Sequence, residues 1–282
     1  SLKMLTQLGS ADLVNSLQSS TKIWEETLGQ FSLLYALRTI PVGVPSIIVR
    51  MLNPNNPIGT PRIVEVQSSG QAFLISIAMI LIGFFLGSLY FNLLSRNTSP
   101  APEKLKMDQL TGQFLQSVGM ALFLLLLGFF ILIPVTFLIS LFSVFGSGIA
   151  QFLMLLAVFV LIWMLIPLVF SPHGVFVMQQ KAMPSMMMSS RMVRFFLPGT
   201  GSFVMVCVLI NEGMNLLWTS TPSNSWLTLI GILAHAFVVT SLLTSTFIYY
   251  REGYAWMQEN LQHMNAAVGK RSQNGGFFGR NQ

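Results

Sequence analysis

Two ionisable side chains lie in stretches that are otherwise apolar, and they are the first candidates for chemistry. Glu212 falls in residues 202–219 and is the only acidic residue within any long apolar segment of the chain. A carboxylate inside a bilayer must be neutral, paired or in contact with water, because a charge there costs about 2.5–3.5 kcal/mol on insertion scales. Glu212 is therefore a candidate proton or cation site. A protonated Glu212, hydrogen-bonded between helices, would satisfy the same requirement.

His235 is the natural partner of Glu212. The polar turn at Pro222 folds the two flanking segments into a hairpin, and at helical rise the two side chains then differ in depth by about 4.5 Å. His235 shares a helix face with Thr228 and Thr246, which predicts a polar stripe facing other helices. Three roles stay open for this histidine: structural hydrogen bonding, a proton relay with Glu212, or axial ligation of a porphyrin-type pigment or haem.

A run of methionines is the third candidate, because thioethers can bind Cu(I). The same side chains also serve as flexible apolar filler. No cluster of cysteine and histidine accompanies them, and Cys207 is the single cysteine, so we expect no metal site and no disulfide within the chain. The methionines are Met178, Met183, Met186, Met187, Met188 and Met192.

Recognised catalytic patterns are missing from the sequence. There is no phosphate-binding glycine loop, no His-Glu-x-x-His and no Gly-x-Ser-x-Gly. Basic stripes interleaved with aromatic residues, which would indicate nucleic-acid binding, are not found either. We predict no catalytic residue, no cofactor other than bound lipids, and no nucleic-acid partner.

The elements that carry these residues are predicted from composition. The chain of 282 residues is 53% hydrophobic and 9% charged, whereas soluble domains carry about 25% charged residues. No charged residue occurs from 109 to 180, where two apolar blocks, 120–142 and 152–170, flank the short turn 143–151. Because about 20 apolar residues cross the hydrocarbon core as a helix, these blocks predict a transmembrane hairpin.

Three further apolar segments have the same character, at residues 71–94, 202–219 and 226–250. The sequence therefore predicts an all-α, polytopic transmembrane helix bundle with five clear spans, and a sixth in the full-length product. Gly83 and Gly87 lie on one face of the first span, where they would let another backbone approach closely. A chance spacing of two glycines is the alternative.

The chain divides into three predicted parts, of which the central one contains the spans. We predict an extracytoplasmic amphipathic or re-entrant segment over residues 1–70, the bundle over 71–256 and a flexible polar cytoplasmic tail over 257–282. Within the first part, residues 31–52 contain two arginines and two prolines. These residues predict an interfacial or re-entrant helix pair rather than a span. Residues 185–197 predict an amphipathic helix at the membrane surface.

Basic residues predict the orientation. Ten of the 15 lie in the connector 95–111, the segment 171–201 and the tail from Arg251, while the turns 143–151 and 220–225 have none. The other five lie in residues 1–70, a segment long enough to translocate regardless of charge. By the positive-inside rule the first group is cytoplasmic. We therefore predict a bacterial plasma-membrane protein with a cytoplasmic C-terminus.

The basic, methionine-rich segment from Lys181 to Arg194, followed by two spans and Tyr249–Tyr250–Arg251, resembles a group of six-span bacterial membrane proteins. These proteins are similar to the membrane domain attached to glycerophosphodiester phosphodiesterases. The resemblance covers roughly residues 71–256. It implies an α-helical bundle in the plasma membrane, often without known activity. The phosphodiesterase barrel is not part of this chain, so the resemblance implies no catalytic residue.

Three functional hypotheses follow from these observations. The first is a non-catalytic accessory or scaffold subunit of a larger membrane complex, packed against other membrane protein subunits. The second is a small-solute or lipid transporter or channel that uses Glu212. The third is a cofactor-bearing subunit of an electron-transfer or light-harvesting complex, with His235 as the ligand.

Overall fold

The computed structural model describes residues 33–44, 66, 68–100, 104, 106–144, 146–220 and 225–275. Within these ranges all regular secondary structure is helical, as predicted. A 3-10 helix, Leu33–Leu37, precedes the α-helices, and another, Ile166–Leu168, lies between two of them. The α-helices are α1 Ser69–Asn97, α2 Met107–Ser143, α3 Ser147–Leu165, α4 Ser171–Val177, α5 Ala182–Phe195, α6 Leu197–Thr219 and α7 Leu227–Gly275.

Five stretches of helix are long and apolar enough to cross a membrane, which confirms the predicted fold class. They cover Gly70–Asn97, Met107–Ser143, Gly148–Val177, Leu197–Thr219 and Leu227–His263. Each contains one of the predicted spans, except that the last stretch begins one residue after its predicted span. The first three extend the predicted span at both ends, and the last two extend it at one end. Backbone groups in hydrocarbon must be hydrogen-bonded within the segment, so apolar length alone predicts helix.

The last helix is longer than predicted. The sequence interpretation assigned residues 257–282 to a flexible polar tail, but α7 continues to Gly275. Residues 251–275 contain no proline and include three alanines, three glutamines and two methionines, which are good helix formers. The helix therefore continues past the apolar part of the span. Residues 276–282 lie outside the described part of the chain.

The core of the described bundle lies at the end where most of the basic residues are found. It is formed by apolar side chains of α1, α2, α4, α5 and α7, with α4 in the middle. Nearly all of α4, which belongs to the predicted cytoplasmic segment 171–201, is buried against the other helices. The buried core residues include Phe91, Leu94, Met120, Phe170, Val175, Phe176, Met186, Val193, Phe247 and Tyr250.

The amphipathic helix predicted at 185–197 is present as α5, shifted by a few residues. Its apolar face packs against the protein core, where Met186, Met192 and Val193 are buried. Met183 and Met187 are exposed on the other side. Two members of the methionine run thus act as core filler. Among the described residues, no group of His, Cys, Asp or Glu could hold a metal ion.

The described N-terminal residues 33–44 pack against α1. The carbonyl oxygen of Leu37 lies so close to Gly83 that a Cβ there would clash with it, and a Cβ at Gly87 would lie 2.9 Å from the Val42 carbonyl oxygen. Gly83 is the central residue of α1, so this short segment packs against the middle of the helix. The choice between an interfacial and a re-entrant pair for residues 31–52 stays a prediction. Residues 31–32 and 45–52 of the predicted pair, and residues 1–30 of the predicted N-terminal segment, lie outside the described residues.

Candidate functional site

The hairpin of α6 and α7 positions both predicted site residues. A Cβ at Gly231 of α7 would lie 3.7 Å from the Trp218 Cβ of α6, which gives the register of this antiparallel pair. His235 is one turn beyond Gly231 and therefore lies at the level of residue 214, one turn before Trp218. Glu212 and His235 thus differ in depth by about 3 Å, close to the separation expected from the turn length.

The polar side chains of this hairpin point in different directions. Asn215 and His235 are only 3% and 7% exposed, so both are buried within the protein. Glu212, in contrast, is exposed, and its Oε1 accepts a hydrogen bond of 3.0 Å from Nδ2 of Asn211. The arrangement therefore has an inner part, formed by Asn215 and His235, and an outer part, formed by Asn211 and Glu212. Direct contact between Glu212 and His235 stays a prediction.

A second polar site lies in the core, around a histidine that sequence reasoning missed. His173 of α4 is 5% exposed, and its Nε2 is 2.7 Å from the Thr246 Oγ1 of α7. Its ring centroid is 4.5 Å from that of Phe247, 5.3 Å from that of Phe170 and 5.8 Å from that of Tyr250. Thr246, predicted to share a stripe with His235, is therefore the partner of a different histidine.

Serine side chains hold α4 in place through hydrogen bonds to backbone groups. Ser185 and Ser189 of α5 donate to the carbonyl oxygens of Ser171 and Pro167, and Ser189 also accepts from the Phe170 amide at 3.1 Å. Ser95 of α1 donates to the Phe176 carbonyl oxygen at 2.9 Å. Because buried backbone groups must be paired, these bonds explain how so short a helix tolerates burial. Their role is structural.

Further polar contacts join the helices around this core. Asn92 Nδ2 donates to Gln113 Oε1 at 2.6 Å, and Tyr90 and Thr240 are joined through their hydroxyl groups at 2.8 Å. The guanidinium group of Arg251 donates to the carbonyl oxygens of Ser95 and Thr98, at the C-terminal end of α1. Carbonyl groups there lack partners within the helix, so the arginine caps α1 and ties it to α7.

The signal for His173 was weak in the sequence. The residue follows Pro172 and precedes Gly174 directly after an apolar block, a pattern typical of a chain leaving the membrane. The glycine has a packing reason, since a Cβ there would lie 2.9 Å from the Tyr250 hydroxyl oxygen and would clash with Ser185. A proline and a glycine flanking a lone histidine are therefore the only local indication of a buried site.

Comparison with known proteins adds no assignment. The chain matches no family model, no curated protein and no solved structure. The resemblance to the membrane domain attached to glycerophosphodiester phosphodiesterases therefore stays a prediction.

Proposed function

We propose that this integral membrane protein is a non-catalytic subunit of a larger membrane complex, and that the outer face of α6 around Glu212 contacts a transmembrane helix of another subunit. The observation that carries the proposal is the position of Glu212. It is exposed on the surface of the chain and lies about 6 Å along the axis from Val208, the central residue of α6.

The hydrocarbon core of a bilayer is an unfavourable environment for the carboxyl group of Glu212. A carboxyl group that faces lipid near the bilayer centre costs about 2.5–3.5 kcal/mol on insertion scales. Contact with a polar group of a neighbouring helix would offset part of that cost, since hydrogen bonds between transmembrane helices contribute about 1–2 kcal/mol in model peptides. Asn211, beside Glu212, supplies a further donor and acceptor to the same contact.

Replacement of Glu212 tests this proposal in two ways. In a mild detergent extract the wild-type chain is expected to migrate as part of a complex larger than its own 31.3 kDa, and Glu212→Leu is expected to release it. The purified Glu212→Leu monomer is at least as stable to heating as the wild-type monomer, because a polar group has been removed from its lipid-facing surface. Leu126→Ala on the exposed face of α2 is the matched control and leaves the complex intact.

Cross-linking locates the contact independently. A photoreactive residue at Leu216, which is exposed one turn from Glu212, is expected to form a defined cross-linked product with another membrane protein, whose identity mass spectrometry then gives. The same residue at the exposed Phe130 of α2 is expected to give no such product. A wild-type chain that is monomeric after the mildest solubilisation, with no co-purifying chain, would contradict the proposal.

Ion- or solute-coupled transport is the second candidate function. It is favoured by the similar depth of Glu212, Asn215 and His235, since polar residues at one level in a bundle are typical of transport pathways. Flux measured in reconstituted vesicles tests it: transport that needs the carboxyl group is abolished by Glu212→Gln, and unchanged flux excludes it.

The third hypothesis, His235 as a cofactor ligand, predicts a chromophore band in the absorption spectrum of the purified protein.

A further inference from the structure

A groove of about 430 Å³ opens between α5 and the part of α7 that follows Tyr250. Two guanidinium groups, those of Arg191 and Arg194, lie on the α5 side. Four of the other lining side chains are apolar: Met188 and Phe195 from α5, and Met257 and Leu261 from α7. The groove therefore combines a cationic part with an apolar part.

The arginines are held in place by the packing of α5. Residues three apart on a helix are neighbours on one side of it, so Arg191 and Arg194 lie together. Met192 and Val193, between them in sequence, are buried in the core, which orients the helix and keeps both arginines exposed. The acidic residues of this part of α7, Glu252 and Glu259, are not among the groove-lining residues.

The groove lies where the membrane surface is expected. Its α5 wall ends at Phe195, and α6, a membrane span, begins at Leu197. The rings of Phe195 and Phe196 contact Trp256 of α7, with centroids 5.6 and 5.7 Å apart. Aromatic residues of this kind gather at the level of the lipid head groups. A phosphate at this depth is therefore within reach of both arginines.

We propose that this groove binds one anionic glycerophospholipid of the surrounding leaflet. Arg191 and Arg194 bind the phosphate, because guanidinium groups donate paired, charge-assisted hydrogen bonds to phosphate oxygens. Gln258, which also lines the groove, offers an amide to the polar head group. The beginning of an acyl chain lies against Met188, Phe195, Met257 and Leu261. The volume falls within the range usual for small-molecule sites, which is enough for the head group and the glycerol unit rather than for whole chains.

Lipid titration of the purified protein, followed by native mass spectrometry, tests the proposal. Phosphatidylglycerol is expected to bind with one tight site, and phosphatidylcholine with the same acyl chains at least tenfold more weakly. The double variant Arg191→Gln/Arg194→Gln lowers the affinity for phosphatidylglycerol about tenfold to thirtyfold. It unfolds at the wild-type temperature, since both side chains are exposed.

A matched pair of lysines controls for charge alone. Lys104→Gln/Lys181→Gln removes the same charge from the same end of the chain outside the groove, and its affinity stays within about twofold of wild type. An equal loss in this control would show diffuse surface charge and overturn the proposal, as would equal binding of both lipids or an unchanged affinity in the arginine variant.

Two further measurements separate a lipid site from a phosphate site. Leu261→Asn, at an exposed position, weakens binding of long-chain phosphatidylglycerol more than that of its short-chain form, because only the long chain loses contact with the apolar wall. Inorganic phosphate at millimolar concentration leaves the lipid bound. Displacement by inorganic phosphate would show a soluble-anion site and contradict the proposal.

Discussion

At the scale of single residues, the polar side chains of the five apolar stretches have two kinds of environment. His173 is buried among aromatic rings and bonded to Thr246, so the protein itself satisfies one of its ring nitrogens. Glu212 is exposed on α6, so its surroundings lie at least partly outside the chain. The contact between His173 and Thr246 stabilises the fold. The exposure of Glu212 is the basis of the proposed contact with another subunit.

The bond between His173 and Thr246 can be removed with little change in shape. Thr246→Val is expected to lower the free energy of unfolding by about 0.6–1.7 kcal/mol, the usual range for such bonds in membrane proteins. Thermal unfolding in detergent measures this loss. Ser245→Ala is the control, because Ser245 is exposed and donates only to the Ser241 carbonyl oxygen of its own helix. Equal losses in the two variants would show that the contact with His173 contributes nothing.

At the scale of elements, α1 is shaped by its two closely packed glycines. The N-terminal segment reaches the surface of α1 only because Gly83 and Gly87 have no side chain. Val42 is fully buried there and joins the main core cluster. Gly83 is the central residue of α1, a helix that is long and apolar enough to span a membrane. Backbone at the centre of a bilayer must be shielded by protein, and close packing on α1 supplies part of such shielding.

Gly87→Ala tests this packing. The added Cβ would lie 2.9 Å from the Val42 carbonyl oxygen, so the segment must shift, with an expected loss of about 1–3 kcal/mol. Faster tryptic cleavage after Arg38 would report the loosened segment. Gly119→Ala in α2 is the control: its Cβ would meet open space, and the change stabilises a helix by about 0.5–1 kcal/mol. Cleavage at the wild-type rate in Gly87→Ala would contradict this account of the glycines.

At the scale of the whole molecule, packing is concentrated at one end. The core around α4 lies beside most of the basic residues, whereas no residue of the most apolar window of α2 or of α3 is buried within the described chain. These windows are therefore available to lipid or to other subunits. Hydrogen bonds between Ser95 and Phe176, and between Gln116 and Ala182, bring the predicted cytoplasmic connectors to the same end.

Labelling of introduced cysteines tests the orientation. In a background with Cys207→Ser, cysteines at Lys104 and Lys181 are expected to react with an impermeant maleimide only after the cells are permeabilised. A cysteine at Val144, which is exposed in the turn after α2, is expected to react in intact cells. Labelling of positions 104 and 181 from opposite sides would contradict both the packing and the positive-inside prediction.

What the sequence by itself determined is the set of membrane helices. Helix formation in hydrocarbon is a local matter, because each segment satisfies its own backbone, so the lengths of apolar blocks and the short turns were enough to predict the spans. The sequence was likewise enough to predict an amphipathic helix at residues 185–197, close to α5.

Only the tertiary structure decided which way the polar side chains point. The direction of Glu212 or His235 depends on the rotation of each helix about its axis, and that rotation is set by neighbours distant in sequence. The burial of α4 has the same origin: a seven-residue helix is too short to show a period, and its environment comes from α1, α5 and α7. The pairing of His173 with Thr246 and the approach of residues 33–44 to Gly83 and Gly87 are long-range contacts that no local pattern contains.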